Sequence, residues 1–401
     1  MKEETKMTKM KKYMGLALAG VMAAGLLAGC GSGSGSSSGS GSSDSGELKW
    51  VIGEIGPVTG PVAVYGQDVA DAGQIAVDEI NAAGGINGYQ IEYVTADDEH
   101  DPEKAVNAYN SLKDKGMQIL LGTVTSGPCT AVGAVTLEDN MFQLTPSGSS
   151  KDCIANDNAF AVCFNDPQQG TKSAEYIASH FADKKIAAIY DSSDIYSSGI
   201  ETNFEAKAKE LGLNVVATEA FTQDTATDFS AQLQKMKDAG ADFIFLPIYY
   251  SNAATILTQC NNIGFAPTFF GCDGMDGILS MENFDTSLAE GLMLLTPFAA
   301  DATDDLTVNF VKKFEEAYGR TPNQFGADEY DAFYAVKAAI EKANLTPDMS
   351  TSDLCEALKT AITEIEVEGL TGTITWSASG EPDKEPKAVV IQDGKYVSIE
   401  D

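Results

Sequence analysis

The chain has 401 residues, enough for two or three domains at ~150 residues each, and 43% of them are hydrophobic, so a sizeable core is available. Its 59 acidic residues stand against 26 basic ones, a net charge of −33, which argues against nucleic acid as a partner because phosphate binding needs a basic footprint. Arg320 is the one arginine, and His100 and His180 are the two histidines; bidentate arginine clamps, a Ser-His-Asp site and multi-histidine metal sites have little to work with.

Lysines 2, 6, 9, 11 and 12 precede an apolar run, GLALAGVMAAGLLAG, that ends at Cys30. About 15 apolar or small residues suit the core of a signal peptide and fall short of the ~20 that span a bilayer. The run LLAGC is similar to a bacterial lipobox. That likeness implies a signal peptide over 1–29, cleavage before Cys30 and lipidation of its thiol; the alternative is a short N-terminal membrane anchor with an incidental cysteine. Residues 30–46 continue as GSGSGSSSGSGSSDSG after the cysteine. With no apolar side chain to bury, this stretch reads as a flexible tether with an r.m.s. span of about 20–25 Å.

From residue 47 strand and helix patterns alternate. KWVIGEIG, IEYVTAD, MQILLGTV and MFQLTP read as strands. Between the first two, YGQDVADAGQIAVDEINAAGG spaces Val69, Ala72, Ala76 and Ile80 on one helical face and ends in glycines. The segment DPEKAVNAYNSL places Asp101 as N-cap, Pro102 as first helical residue and Glu103 in the first turn. A second set follows: KIAAIYD, NVVATEAF, DFIFLPIYY, PTFFGCD and GLMLLTPF as strands, with helical stretches between them. Two such sets predict an α/β chain of two doubly wound lobes with parallel sheets. QFGADEYDAFYAVKAAIEKA and SDLCEALKTAIT read as helices, and TGTITWSASGEPDKEPKAVVIQDGKYVSI as one β-hairpin with a long connection.

Six cysteines follow Cys30, without CxxC or zinc spacing. Cys153 and Cys163 are close enough in sequence to pair across a short loop, and equally readable as buried thiols.

In open parallel sheets ligands sit beyond the carboxyl ends of the strands, where helix N-termini offer free N–H groups. Two such ends carry hydroxyls, Thr125-Ser126 and Ser147 with Ser149-Ser150. They either cap helices or converge on a carboxylate. Tyr65, Tyr196 and Tyr249-Tyr250 close three other loops, as pocket walls or as packing. GCDGMDG sets Asp273 and Asp276 after a strand, to face a cationic group or to form a turn; the spacing of an EF-hand calcium loop is absent. GxxxxGK[ST] and HExxH are missing, and GxSxG occurs only inside the low-complexity Gly/Ser tether, so no enzyme, cofactor or metal is expected.

Taken in order, GPVTGPVAVYG (56–66), DEINAAGGINGYQIE (78–92), the Asp97-Asp98 pair before DPEKAV, LTPSGSS, ADFIFLPIYY and the GTITW end resemble the branched-chain amino-acid-binding proteins of ABC transporters, which have the type I periplasmic-binding fold. The resemblance covers about 350 residues. It implies two lobes joined by a three-segment hinge, with 47–167 and 298–373 forming lobe 1 and 168–297 and 374–401 forming lobe 2. It further implies a monomer held outside the cell membrane by lipidated Cys30. That protein would close on an amino acid and present itself to an ABC permease and its ATPase. Carried over by residue, Ser126, Ser147 and Ser149 receive the ligand carboxylate, Asp273 its ammonium, and Tyr65, Tyr196, Tyr249 and Phe325 wall the site. Relatives often have a disulfide whose cysteines fall at His100 and Thr125 here, so that loop must be held otherwise. Asp273 stands where a glutamate is usual. A binder of an amide, urea or aromatic acid, or a tethered ligand sensor, is the alternative.

Overall fold

The computed structural model describes residues 48–399; the signal-peptide segment, Cys30 and the Gly/Ser tether lie outside them. The first set of elements runs β1 (Trp50–Gly56), α1 (Ala63–Ala82), β2 (Ile91–Asp97), α2 (Pro102–Asp114), β3 (Ile119–Gly122), α3 (Ser126–Asp139), β4 (Phe142–Thr145) and β5 (Ala159–Ala161). Its strands form one parallel sheet in the order β2-β1-β3-β4-β5. Every residue of β3 and β4 is buried, as befits central strands covered on both faces. Asp101 caps α2 by accepting from the N–H groups of Glu103 and Lys104, both at 2.9 Å, with Pro102 opening the helix.

The second set follows as α4 (Asp166–His180), β6 (Ile186–Asp191), α5 (Ile195–Leu211), β7 (Val215–Phe221), α6 (Ser230–Asp238), β8 (Phe243–Leu246), α7 (Tyr250–Asn262), β9 (Thr268–Gly271) and β10 (Met293–Thr296). The chain then adds α8 (Asp305–Tyr318), α9 (Gln324–Ala343), α10 (Thr351–Ile362), β11 (Val367–Gly369), β12 (Gly372–Ile374), β13 (Lys387–Gln392) and β14 (Lys395–Ser398). The second sheet has the order β14-β13-β10-β9-β8-β6-β7. It is parallel from β7 to β10, while β13 and β14 join antiparallel. Each sheet has an apolar layer on both faces. Trp50, Phe142, Phe310, Phe333 and Leu358 mark one side of the first, and Tyr109, Leu112, Leu120 and Val132 the other. In the second sheet Phe204 and Phe270 lie on one side, Leu233, Ile256 and Leu294 on the other. This is a mixed α/β fold with two doubly wound parallel sheets. Among the described residues no helix is long and apolar enough to cross a membrane.

The C-terminal segment departs from the single hairpin read in the sequence. β11 and β12 pair with each other, and β13 and β14 make a separate hairpin on the edge of the second sheet. Its two-residue turn is Asp393-Gly394, with φ of 51° and 70°, the conformation an Asp-Gly turn favours. Residues 375–386 connect the two hairpins rather than belonging to one.

That connection is pinned by a buried charge network. The ammonium of Lys384 donates to Asp328 Oδ1 at 2.9 Å and to Thr371 Oγ1 at 2.6 Å. Thr371 donates in turn to Asp331 Oδ2 at 2.6 Å. The Lys384 and Asp328 side chains are 2% and 1% exposed, so neither charge has water to fall back on. Asp328 is nonetheless pushed up to about 6 by burial, with Lys384 pulling the other way. Removing one member of a buried pair costs about 3–5 kcal/mol because the other is stranded. Lys384→Met should therefore lower the unfolding free energy in guanidinium titration by about 3 kcal/mol, whereas the exposed pair partner Lys312→Met, near Glu316, should change it by under about 0.5 kcal/mol.

Candidate functional site

The eight residues expected at a ligand site all line one small cavity between the two sheets. Tyr65, Ser126, Ser147, Ser149, Tyr196, Tyr249, Asp273 and Phe325 share it with Val124, Thr125 and Gly274, around about 230 Å³ of interatomic space. All but Phe325 stand just beyond the carboxyl end of a strand or in the first turn of the following helix. Tyr65 belongs to the first turn of α1, Ser126 opens α3, and Ser147 and Ser149 follow β4. Tyr196 lies at the start of α5, Tyr249 precedes α7, Asp273 follows β9 and Phe325 is near the start of α9.

The hydroxyl side comes from the first sheet. Ser126 Oγ accepts from the N–H groups of Ser149 and Ser150 at 3.2 and 3.1 Å, which leaves its own proton available to a ligand oxygen. Ser147 behaves differently: its hydroxyl donates to the Val124 carbonyl at 2.7 Å, so it has no second proton for a carboxylate. Thr125 occupies the N-cap position of α3 yet makes no side-chain cap bond. The first N–H groups of that helix lack intrahelical acceptors, and Pro128 carries none. The positive end of α3 is thus left open toward the cavity that Thr125 and Ser126 line.

The acid side comes from the second sheet. Asp273, 2% exposed, accepts from the Tyr196 hydroxyl at 2.7 Å and from Gln169 Nε2 at 2.8 Å. Its backbone N–H is held by Gln169 Oε1 at 3.3 Å. Gly274 has to be glycine for this arrangement, since a Cβ there would lie 2.6 Å from the Tyr196 oxygen and 2.9 Å from the Ile248 carbonyl. Burial pushes Asp273 up to about 7, against the pull of Tyr196, the Gly274 N–H and Gln169. Asp276 turns elsewhere: its Oδ2 accepts the Gln324 N–H at 2.7 Å at the start of α9.

Aromatic rings close the space. Tyr65 meets Phe325 at 4.3 Å, Tyr250 at 5.1 Å and Tyr249 at 5.9 Å, all edge-on, and Tyr249 stacks on Tyr196 at 4.8 Å. The Tyr65 hydroxyl donates to the Gly274 carbonyl at 2.5 Å, a bond between the two sheets. Gly66 fixes that ring's base, because a Cβ there would sit 2.4 Å from the Pro57 carbonyl. Outside this closed space lies a wide groove bordered by residues 60–64, His100, Asp191, Asp194, Tyr249 and Tyr250.

Sequence reasoning missed Gln169 and Asp166. Gln169 reaches Asp273 across 104 positions, a pairing with no local signal; the capping box of Asn165 and Gln168 announces only where α4 starts. Asp166 is buried with Oδ1 lacking a hydrogen-bond partner, beside the Ser149 hydroxyl, and burial pushes it well above the usual carboxylate range. The six cysteines of the described residues, Cys153 and Cys163 among them, are free and buried.

Residues 49–391 match the model of a family described as periplasmic binding protein. Leu/Ile/Val-binding protein homolog 3 of Brucella melitensis is 30% identical over 353 residues, 87% of this chain and 93% of that one. Leu/Ile/Val-binding protein BraC3 of Rhizobium johnstonii is 30% identical over 333 residues, 82% of this chain and 88% of its own. Among solved structures, the branched-chain amino acid transporter substrate-binding protein LivJ of Streptococcus pneumoniae, in complex with isoleucine, superposes with a TM-score of 0.78 at 26% identity, covering 87% of this chain and 98% of that one.

The burial of Asp273 has a measurable sign. Its folded value of about 7 lies above the ordinary 3.8, so its share of stability is full below the ordinary value and is lost as pH rises through about 7. Ligand-free Asp273→Asn should melt above the unsubstituted protein at pH 8 and level with it near pH 4 in scanning fluorimetry, the gap amounting to a few kcal/mol.

Proposed function

The chain belongs to the periplasmic binding protein family, and on that premise we propose that it captures an amino acid, branched-chain or otherwise apolar, for an ABC importer. The relatives' names support the ligand class, and the cavity's opposed ends support the mode of binding. A ligand α-carboxylate meets the Ser126 hydroxyl and the open end of α3. Its α-ammonium meets Asp273 from the other sheet, which the cation draws into its ionised form. The side chain lies among Tyr65, Tyr196, Tyr249 and Phe325. Burying two charges is costly unless each is paired, so a ligand that lacks either group is held weakly. Ser149 contributes its N–H through Ser126, and Ser147 props the Val124 carbonyl rather than donating to the guest.

In this reading 47–167 with 298–373, and 168–297 with 374–401, are two lobes that close about three crossing segments. The closed form is what an ABC permease and its ATPase recognise. The LLAGC run makes Cys30 the lipid attachment point, and the Gly/Ser tether lets a monomeric body work at the outer face of the membrane. The protein performs no chemical step. The observation that carries the proposal is a buried acid facing uncapped donors across a cavity walled by aromatic rings.

One feature favours a second reading. Asp273 already accepts from Tyr196 and Gln169, and burial pushes it up to about 7. An aromatic acid, with no ammonium, fits beside a carboxyl that burial disposes to stay protonated. A thermal-shift screen of the twenty amino acids with benzoate and urea separates the two. An amino acid that stabilises most supports the proposal; benzoate alone doing so overturns it. In calorimetry with that amino acid, Asp273→Ala should abolish binding, and Ser126→Ala should weaken it about 10- to 100-fold, since a hydrogen bond to a charged group is worth about 1.5–3 kcal/mol. Unchanged affinity in Asp273→Ala removes the acid from its role.

A further inference from the structure

His100 sits where the two halves of the groove meet. It follows β2, with a φ of 62°, and its backbone N–H is held by Asp98 Oδ1 at 2.8 Å. Its Nδ1 lies 2.9 Å from Thr125 Oγ1. The ring also stands edge-on to Tyr249, centroids 5.3 Å apart at 84°, although Tyr249 follows β8 of the second sheet.

These contacts have separate consequences. A threonine at an N-cap normally turns its hydroxyl onto the N–H groups of the helix it starts. Thr125 makes no such bond; its hydroxyl is turned to the imidazole instead. The Gly127 N–H, the one donor a Thr125 cap would reach beside Pro128, is left uncapped by that hydroxyl. His100 therefore keeps the anion-holding end of α3 uncapped. Its face toward Tyr249, by contrast, exists only while the sheets are together. Resting on the amino-acid reading above, we propose that His100 is a positioning residue for the ligand carboxylate, and that it makes ligand retention depend on an uncharged imidazole by seating its ring against Tyr249 on closure.

The charges around it oppose one another. Asp98 and Asp101 flank it in the chain, Asp191 faces it from the end of β6, and Asp194 lies beyond Tyr249 at the start of α5. Asp191 and Asp101 favour the imidazolium, yet burial outweighs them and holds the imidazole below its ordinary value. A group held low in the closed form favours closure above its ordinary value of about 6.5 and loses that contribution as pH falls. Asp98 and Asp194, pushed up to about 7 and about 6, act in the opposite sense and remain in every His100 variant.

The test uses L-leucine in calorimetry from pH 8 to pH 5. Asparagine tolerates the positive φ, can bond Thr125 and does not titrate. At pH 8, His100→Asn should bind within about threefold of the unsubstituted protein, and His100→Ala about tenfold more weakly. Between pH 7 and pH 5 the unsubstituted protein should lose about tenfold in affinity relative to His100→Asn. Superposable pH profiles for those two, or a His100→Ala variant that binds as well as the parent at pH 8, overturns the proposal. Absence of leucine binding by every protein at pH 8 is a failure of the amino-acid reading instead. In NMR titration of the His180→Gln protein, the His100 ring signal should have a lower midpoint with leucine bound than without it, and equal midpoints overturn the proposal.

Discussion

The Tyr65 hydroxyl has no water to bond and finds its acceptor in the Gly274 carbonyl of the opposite sheet. The fold around the site depends on that bond. Apolar contact between the sheets is tolerant of small slips; a 2.5 Å hydrogen bond to a glycine carbonyl is not. It fixes the ring that touches Tyr249, Tyr250 and Phe325, and it aligns Gly274, whose neighbour Asp273 is the acid of the cavity. The Gln324 N–H on Asp276 reinforces the same seam from α9. Parting the sheets by the width of a water molecule would undo these bonds together.

Much of this was legible in the sequence because it is local. Alternating apolar runs and helical periods marked the two parallel sheets, and Asp101-Pro102-Glu103 marked the start of α2. The convergence of eight residues followed from a general rule, that strand ends in parallel sheets face a common crevice, joined to a family resemblance. What stayed hidden depends on partners far away in the chain. Nothing near Ser147 indicates that its proton goes to Val124, and nothing near Gln169 points to Asp273. The two C-terminal hairpins were merged into one because the charged segment between them looks like a loop. The Asp393-Gly394 pair was the signal that could have divided them.

The acidity of the chain takes two forms in the core. Asp68 and Asp328 are buried against Arg320 and Lys384. Glu54 and Glu329 are buried with no hydrogen-bond donor on any of their four oxygens, and burial raises both well above the usual carboxylate range. Burial thus favours the neutral form of both. Net charge counted from the sequence therefore overstates what the folded interior carries.

The thiols have a consequence for how the body matures. All six cysteines of the described residues are free and buried, and the segment around His100 and Thr125 is joined by an imidazole–hydroxyl contact. The folded body accordingly requires neither an oxidant nor an isomerase to reach its final state. With no disulfide among the described residues, reducing buffer removes no cross-link from the folded body.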